Sequence, residues 1–298
     1  MRGVLTLTLY IILSITAYSQ VQFSTDYLSP STLKDSDGDE FGKGSMARVS
    51  VMANLPFKYE LGEDRRIVRM WAVTLSAKYA SLNNTGGAGE LVPDRMLNTS
   101  LNLTHIRPLS ERWKFMASLG VGIYCRPNHV VFKSLLANGG AVFVYNVRDR
   151  LDVGVGGALT NSFGFPAIIP AVYLNWSMRG RYEIDLSMIT GLKLTVKRKW
   201  DDRFTTSLVA FDMEGMSAVF RHDDKWKIYS TTMTRSYFQL DYKYKSSITF
   251  FGGIGAAWSR SSRLVDRKFK NFYKMFNGND RQHFTPAMMV RIGVGYMM

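Results

Sequence analysis

Asp35, Asp37 and Asp39 occupy alternate positions in Asp35-Ser36-Asp37-Gly38-Asp39-Glu40. Oxygen donors at the first, third and fifth places are what a hard divalent cation such as calcium asks of a binding loop. The pattern stops there. The sixth place, where the turn needs glycine, is Glu40, and the twelfth, where a bidentate glutamate closes the site, is Met46. Asp35, Asp37 and Asp39 are therefore weak metal candidates, set against the plainer expectation of an acidic, solvated loop. His105, His129, His222 and His283 could in principle serve a membrane-embedded hydrolase. Such an enzyme places serine and histidine within hydrogen-bond reach on one face. No Gly-x-Ser-x-Gly elbow is present, and the Ser and Asn neighbours of His105 take the opposite parity. No catalytic residue, enzyme activity or cofactor is expected. Cys125 is the single cysteine, so neither an internal disulfide nor a cysteine metal cluster can form. The Asn98-Thr99-Ser100 and Asn102-Leu103-Thr104 sequons read as chance within a strand.

The remaining chemistry is charge at alternate positions. Arg48, Lys58, Lys78, Lys114, Lys193, Lys197, Lys243 and Arg291 share parity with polar neighbours and oppose an apolar face. Asp26, Asp152, Glu183, Asp185 and Asp241 stand on the same parity. Eight cations against five anions predict a lumen with a modest positive excess. Rings of Lys and Arg favour anions in a narrow pore, so weak anion preference is expected of any conducting path. The stretch 259–283 adds Arg260, Arg263, Arg267, Lys268, Lys270, Lys274 and Arg281 against Asp266 and Asp280.

Period-two elements must position these charges. From Leu151 to Val196 the letters alternate: Val153 and Val155 against Gly154 and Gly156, then Val172, Leu174 and Trp176 against Tyr173 and Asn175, then Ile184 and Leu186 against Glu183 and Asp185. Period two is strand, with successive side chains on opposite faces. Long alternating runs joined by short turns predict an all-β, transmembrane, antiparallel up-and-down barrel. Fourteen strands are expected. The first begins at Val21. Residues 30–44 are read as a loop. The alternation from Tyr182 to Val196 is read as one strand, and Met213-Glu214-Gly215 as a turn between Phe204–Phe211 and Met216–Arg221. The connections then alternate. Those at 29–44, 83–94, 125–134, 162–166, 197–202, 223–228 and 259–283 are mostly long and are read as outer loops. Those at 60–66, 107–111, 148–150, 179–181, 213–215 and 245–246 are mostly short and are read as periplasmic turns. Trp71, Trp113, Tyr145, Trp176, Tyr182 and Tyr242 fall near the short-turn ends, as does Tyr59. Trp258 falls near the long-loop ends, with Tyr79 and Trp200. Two aromatic girdles at the lipid interfaces predict this sorting.

Composition bounds the setting. Net charge is +14 over 298 residues, but no basic, aromatic-interleaved nucleic-acid pattern appears, so no nucleic-acid partner is expected. After the N-terminus no apolar run is long enough for a membrane helix. Residues 1–19 read as a cleaved signal peptide: Arg2, an apolar Val4–Ile15 core, and Ala17-Tyr18-Ser19 as the cleavage box. Residues 20–298 are then the barrel domain, exported to the outer membrane of a Gram-negative bacterium. Outer-membrane lipid is the expected partner, with oligomeric state open. The terminal Val290-Arg291-Ile292-Gly293-Val294-Gly295-Tyr296-Met297-Met298 alternates to its last residue. That resembles the C-terminal strand signal read by the barrel assembly machinery, with Met298 in place of the usual phenylalanine.

The Phe23–Leu28 strand, the run Ile169-Pro170-Ala171-Val172-Tyr173-Leu174-Asn175-Trp176 and the closing Arg291–Tyr296 segment resemble a family of uncharacterised Gram-negative outer-membrane barrels, known as a domain of unknown function. The resemblance implies a barrel and supplies no activity. Two functions follow from the sequence: a pore or transporter for small solutes, or a structural or surface-interaction barrel closed by its outer loops.

Overall fold

The computed structural model describes residues 20–297 apart from 36, 63–66, 129, 162–166, 179–180, 188–190, 223–224 and 267–281. The segment read as a signal peptide lies outside the described residues. Sixteen strand segments follow in order: β1 Gln20–Lys34, β2 Glu40–Leu61, β3 Ile67–Gly86, β4 Arg95–Pro108, β5 Trp113–Cys125, β6 Leu135–Arg148, β7 Leu151–Thr160, β8 Ala167–Ser177, β9 Tyr182–Ser187, β10 Leu192–Lys199, β11 Phe204–His222, β12 Lys225–Tyr244, β13 Ile248–Ser261, β14 Arg263–Asp266, β15 His283–Phe284 and β16 Ala287–Met297. β14 continues β13 along β12, and β15 continues β16 between β1 and β13. The sixteen segments are thus fourteen staves. Each pairs antiparallel with its neighbours, and β1 pairs with β16 to close the barrel.

The alternation holds in three dimensions. On β1, Ser24, Asp26 and Leu28 are buried inside, whereas Phe23 and Tyr27 are exposed outside. Around the rest of the barrel the outward residues include Leu119, Val155, Ile254 and Ile292, all more than 60% exposed. A continuous apolar exterior of this kind is unstable in water and stable in hydrocarbon.

Four sequence expectations are corrected. The 30–44 loop is mostly strand: β1 runs to Lys34, and a register shift between Leu28 and Ser31 absorbs Pro30. A bulge tolerates the missing N–H of proline. The connection shrinks to residues 35–39, with Gly38 at φ 92°, a backbone that favours glycine. The 83–94 loop is likewise partly strand, and it then forms a short helix, α1 (Gly87–Leu91), whose Ala88 is buried in the outer mouth.

The other two corrections offset each other. Tyr182–Val196 is a hairpin, with Leu186 opposite Leu194. Met213-Glu214-Gly215 is no turn, because β11 passes straight through it and Glu214 pairs with Met233. The count stays at fourteen. The outer connection after β9 is therefore 188–191, and 200–203 becomes an inner turn. In that turn Asp201 Oδ1 accepts the N–H of Phe204 at 2.6 Å and of Arg203 at 2.8 Å. These donors, Phe204 first, hold its carboxyl below the usual carboxylate range. A lowered folded-state pKa gives stabilisation that is complete above the ordinary carboxyl pKa and lost as pH falls through the lowered one. Amide exchange at Arg203 and Phe204 is expected to speed up on acidification in the wild type but not in Asp201→Asn, beyond the intrinsic pH trend. Equal acid sensitivity in both would remove the turn's role.

Candidate functional site

The staves are unequal. β2, β3, β11 and β12 run 22, 20, 19 and 20 residues, whereas β7, β8, β9 and β10 run 10, 11, 6 and 8. β10 keeps β11 company only as far as Leu192 opposite Met213. Just below, the β11–β12 register shifts between Val209 and Asp212. Such a bulge bends its strand, and here β11 turns into the barrel. Its upper half has two buried faces: Met216, Ala218 and Phe220 on one, Ser217 and Val219 on the other. Val219 pairs in parallel with Cys125 of β5. Asn98 of β4 brackets Ser217, donating from Nδ2 to its carbonyl and accepting its N–H at 3.1 Å. Ser217 Oγ donates to the Asn161 carbonyl at 3.0 Å. The upper β11–β12 hairpin thus crosses the interior to reach the opposite wall.

Above the crossing the outer lumen is filled. Leu28, Leu33, Met46, Met96, Met216, Tyr229, Met233 and Phe284 form one buried cluster, with Ala88 and Val92 beside α1. Arg260 lies within it, its guanidinium 3.6 Å from the centroid of the Phe284 ring and its Nη2 donating to the Gly44 carbonyl at 3.1 Å.

Charge braces the crossing itself. Glu214 accepts from Arg48 of β2 at 2.7 Å, from Arg235 of β12 at 2.8 Å and from Lys78 of β3. Arg235 also donates to Asp212 at 2.7 Å and to Asp26 at 3.2 Å. Asp26 is further bonded by Arg48 and by Arg291 of β16, the latter at 3.2 Å. Seven side chains from six staves form one network. Arg48 and Arg235 are 2% and 1% exposed, so each charge depends on its partners rather than on water.

Beside and below the brace the interior keeps polar cavities. A cavity of about 150 Å³ lies between β11 and the β3–β7 wall, lined by Ser, Thr, Asn and Tyr124. A second, of about 200 Å³, lies between β9–β10 and β11–β12. Both are lined mainly by polar side chains, as a wet lumen requires.

The sequence-predicted cations distribute unevenly. Arg48, Lys78 and Arg291 belong to the brace. Lys114 lies 3.9 Å from Asp152, and Lys197 lies 3.8 Å from Glu183 and 3.9 Å from Asp185. Lys193 stands 6.0 Å from the Tyr237 ring centroid. Lys243 shares the inward parity of Asp241 near the inner rim. Lys58 is corrected: a register shift after Pro56 pairs it with Trp71, on the outer face, and puts Tyr59 opposite Met70. The sequence reading missed Asp212, Glu214 and Arg235. Carrying the Asp212, Glu214, Met216, Ala218, Phe220 alternation through Gly215 would have found the first two. Arg260, expected at the outer mouth, is buried. Arg267, Lys268, Lys270, Lys274 and Arg281 lie outside the described residues.

Aromatic side chains gather at the inner rim. Trp71 stacks on His105 at 3.9 Å, Trp113 meets Tyr145 at 4.9 Å and Phe204 meets Tyr242 at 5.0 Å. Arg148 lies 5.8 Å from the centroid of Trp176, and Arg198 covers Tyr182 and Trp200 at 5.4 and 3.7 Å. Trp200 therefore moves from the outer end, where the sequence placed it, to the inner one. Trp258 sits toward the outer end, its Nε1 donating to Ser236 Oγ at 2.9 Å. In the acidic loop, Asp35 Oδ1 accepts the N–H groups of Asp37 and Asp39 at 3.0 and 2.9 Å. Among the described residues no group of three or more His, Cys, Asp or Glu could hold a metal ion.

A family model described as "Domain of unknown function (DUF6268)" matches residues 15–297. No curated protein matches. Among solved structures, the chain is similar to the COG4313 outer membrane channel from Pseudomonas putida F1, at 8% identity and a TM-score of 0.49, covering 95% of this chain and 96% of that one. It is also similar to a Pseudomonas aeruginosa FadL homologue, at 10% identity and a TM-score of 0.44, over 94% and 90%. The translocator domain of the autotransporter NalP from Neisseria meningitidis gives 11% identity and a TM-score of 0.33, over 100% and 97%.

Proposed function

The chain belongs to the family described as Domain of unknown function (DUF6268), and from that premise we propose that it is an outer-membrane channel for small solutes whose outer half is held shut by the β11–β12 crossing. The apolar exterior and the aromatic inner rim support residence in lipid, with the chain delivered by its signal peptide and inserted by the barrel assembly machinery through β16. One observation carries the channel reading: beside the brace, between β11 and the β3–β7 wall, the interior keeps a cavity of about 150 Å³ lined mainly by polar side chains. Barrels whose interior is only structural fill it with packed side chains.

Selectivity follows from the lumen inventory. Below the outer plug that holds Arg260, removing Lys58 and adding Arg235 leaves eight cations, and adding Asp212 and Glu214 raises the anions to seven. The excess falls from three to one, and most of these groups are paired. Anion preference is therefore weak, and it acts only where the path is narrower than the Debye length of about 8 Å at physiological salt.

The second reading, a structural barrel, is favoured by the apolar outer plug. Planar-bilayer recording separates the two. The test protein shortens the hairpin by joining Gly215 to Thr232, which face each other across β11 and β12, through a two-residue Asn-Gly turn. The wild type is expected to conduct rarely, and the shortened protein steadily, with a reversal potential in a salt gradient of slight anion sign. A shortened barrel that is folded and silent would leave the structural reading standing. Cation preference would refute the charge argument.

A further inference from the structure

Positive charge gathers on the outside of the inner rim. Segments 107–112, 148–150, 181–182 and 198–203 hold eight Arg or Lys against four Asp or Glu. Three of these cations stand on the outer face of their staves. Arg107 of β4 lies opposite Phe115. On β6 a register shift after Asn146 sets Arg148 opposite Leu151, which in turn faces Trp176. On β10 Arg198 lies opposite Tyr182. Arg112 joins them from the turn before β5, its Nη1 donating to the Tyr145 hydroxyl at 3.4 Å. Its carbonyl accepts the N–H of Asn146 at 2.7 Å, so Arg112 and Arg148 belong to one patch. Arg107, Arg112 and Arg148 are exposed, and Arg198 is half-buried. Among the described residues none of the four makes an ion pair, although Glu60 and Arg69 at the same rim pair at 3.1 Å. Aromatic rings hold two of them instead: Arg148 lies 5.8 Å from the Trp176 centroid, and Arg198 lies 3.7 Å from that of Trp200. A ring positions a cation without cancelling its charge.

A partner for this rim must match more than charge. The outward order along β6 is Phe143, Tyr145, Val147 and then Arg148, and along β10 it is Leu194, Val196 and then Arg198. Phe143 and Val147 are 46% and 44% exposed, and Val155 on the neighbouring β7 is 66% exposed. Apolar surface, then an interfacial ring, then a cation at the rim is the order of acyl chain, glycerol backbone and phosphate in a phospholipid. A soluble anion satisfies only the arginines. An acidic protein would leave the apolar band beside them uncovered. A zwitterionic headgroup carries its own cation and gains little from four more. We propose that the outer face of the inner rim, from β4 to β10, is a binding surface for anionic phospholipid, with headgroup phosphates on the arginines and acyl chains on the apolar band. Attraction of this kind is on the order of fivefold in affinity for each Lys or Arg engaged. The surface goes beyond the channel reading and does not depend on conduction.

The test is native mass spectrometry of the purified full chain in mixed micelles, counting bound dioleoyl phosphatidylglycerol against dioleoyl phosphatidylcholine. The two lipids share chains and phosphate and differ in net charge. The wild type is expected to retain the anionic lipid at least fivefold better. Arg112→Gln with Arg148→Gln should bring the ratio to within about twofold of one, and Arg198→Gln alone, on a separate stave, should lower it and carries the test if the double variant does not fold. Lys193→Gln removes one lumen charge without touching the exterior and should leave the ratio unchanged. Equal retention of the two lipids by the wild type overturns the proposal and turns the rim toward an acidic protein. A ratio that survives all three arginine replacements, or that falls as far in Lys193→Gln, overturns it as well. So does displacement of the anionic lipid by millimolar inorganic phosphate, which would make a soluble anion the partner.

Discussion

Glu214→Ala is expected to destabilise the barrel by roughly 3–5 kcal/mol, the range for deleting one partner of a buried ion pair. Glu214 accepts from Arg48, Lys78 and Arg235. Without it, four cations including Arg291 face only Asp26 and Asp212, and two of the four have no access to water. The folded barrel's compact mobility on unheated gels should be lost at a clearly lower temperature. The crossing should also loosen, because Glu214 is the side chain through which β11 grips β2 and β3. Amide exchange across Met216–Arg221 and Trp226–Thr231 is expected to accelerate well beyond that of β4 and β5. An unchanged melting temperature with unchanged exchange would mean that the apolar plug alone holds the hairpin. A double replacement of Arg48 and Glu214 by Met and Leu should recover much of the loss, since well-packed apolar groups often replace a buried pair at no cost.

Phe284→Ala is the second large effect, at about 3–5 kcal/mol for a buried aromatic truncated to a methyl. The ring is 1% exposed and carries the Arg260 guanidinium at 3.6 Å. Its loss opens a void in the outer plug and uncovers a buried cation bonded to the Gly44 carbonyl. Leu119→Ala on the outer face supplies the contrast. That side chain is 71% exposed, toward lipid if the barrel is embedded. Lipid fills the space left by the truncation, so no void forms and only the transfer from water to an apolar phase is lost, roughly 2 kcal/mol at about 0.8 kcal/mol per methylene. Urea midpoints in detergent compare the two, and similar losses at both positions would refute the interior packing described for Phe284.

The barrel was legible in the sequence because its exterior is apolar on every stave, and alternation survives local error. The hairpins were less legible, for a reason of register. Leu194 opposes Leu186, and the two numbers sum to an even value, so inward and outward residues keep their parity across the connection. Two short strands then read as one long one. β7 and β8 pair Leu151 with Trp176, an odd sum, and the parity break exposed that hairpin at once. The Gly215 error ran the other way. Acidic residue followed by glycine is turn chemistry, but here Glu214 is turned inward to meet three cations that are distant in sequence. Lys58 failed because a bulge after Pro56 reverses the faces, and the residue types around it do not locate the slip. The brace was half visible: Asp26, Arg48, Lys78 and Arg291 fall on the inward parity, but which staves meet across the interior depends on the bend at Val209–Asp212.

The seam between β1 and β16 has a consequence in time. It joins Gln20 to Met297 and Leu28 to Met289, pairs that are up to 277 residues apart in sequence. Every other neighbouring pair of barrel strands can form from consecutive segments as they emerge. This one must wait for the last. Until then, the Val21–Tyr27 backbone presents a row of unpaired N–H and C=O groups beside exposed Phe23 and Tyr27, the kind of edge that recruits other chains. Closing so long a loop costs entropy that no earlier contact repays. The rate of barrel formation should therefore depend on the eleven residues of β16 far more than stability does once the seam is made. Chains with a weakened β16 are expected to accumulate as open sheets that aggregate through β1, and not as closed barrels of lower melting temperature.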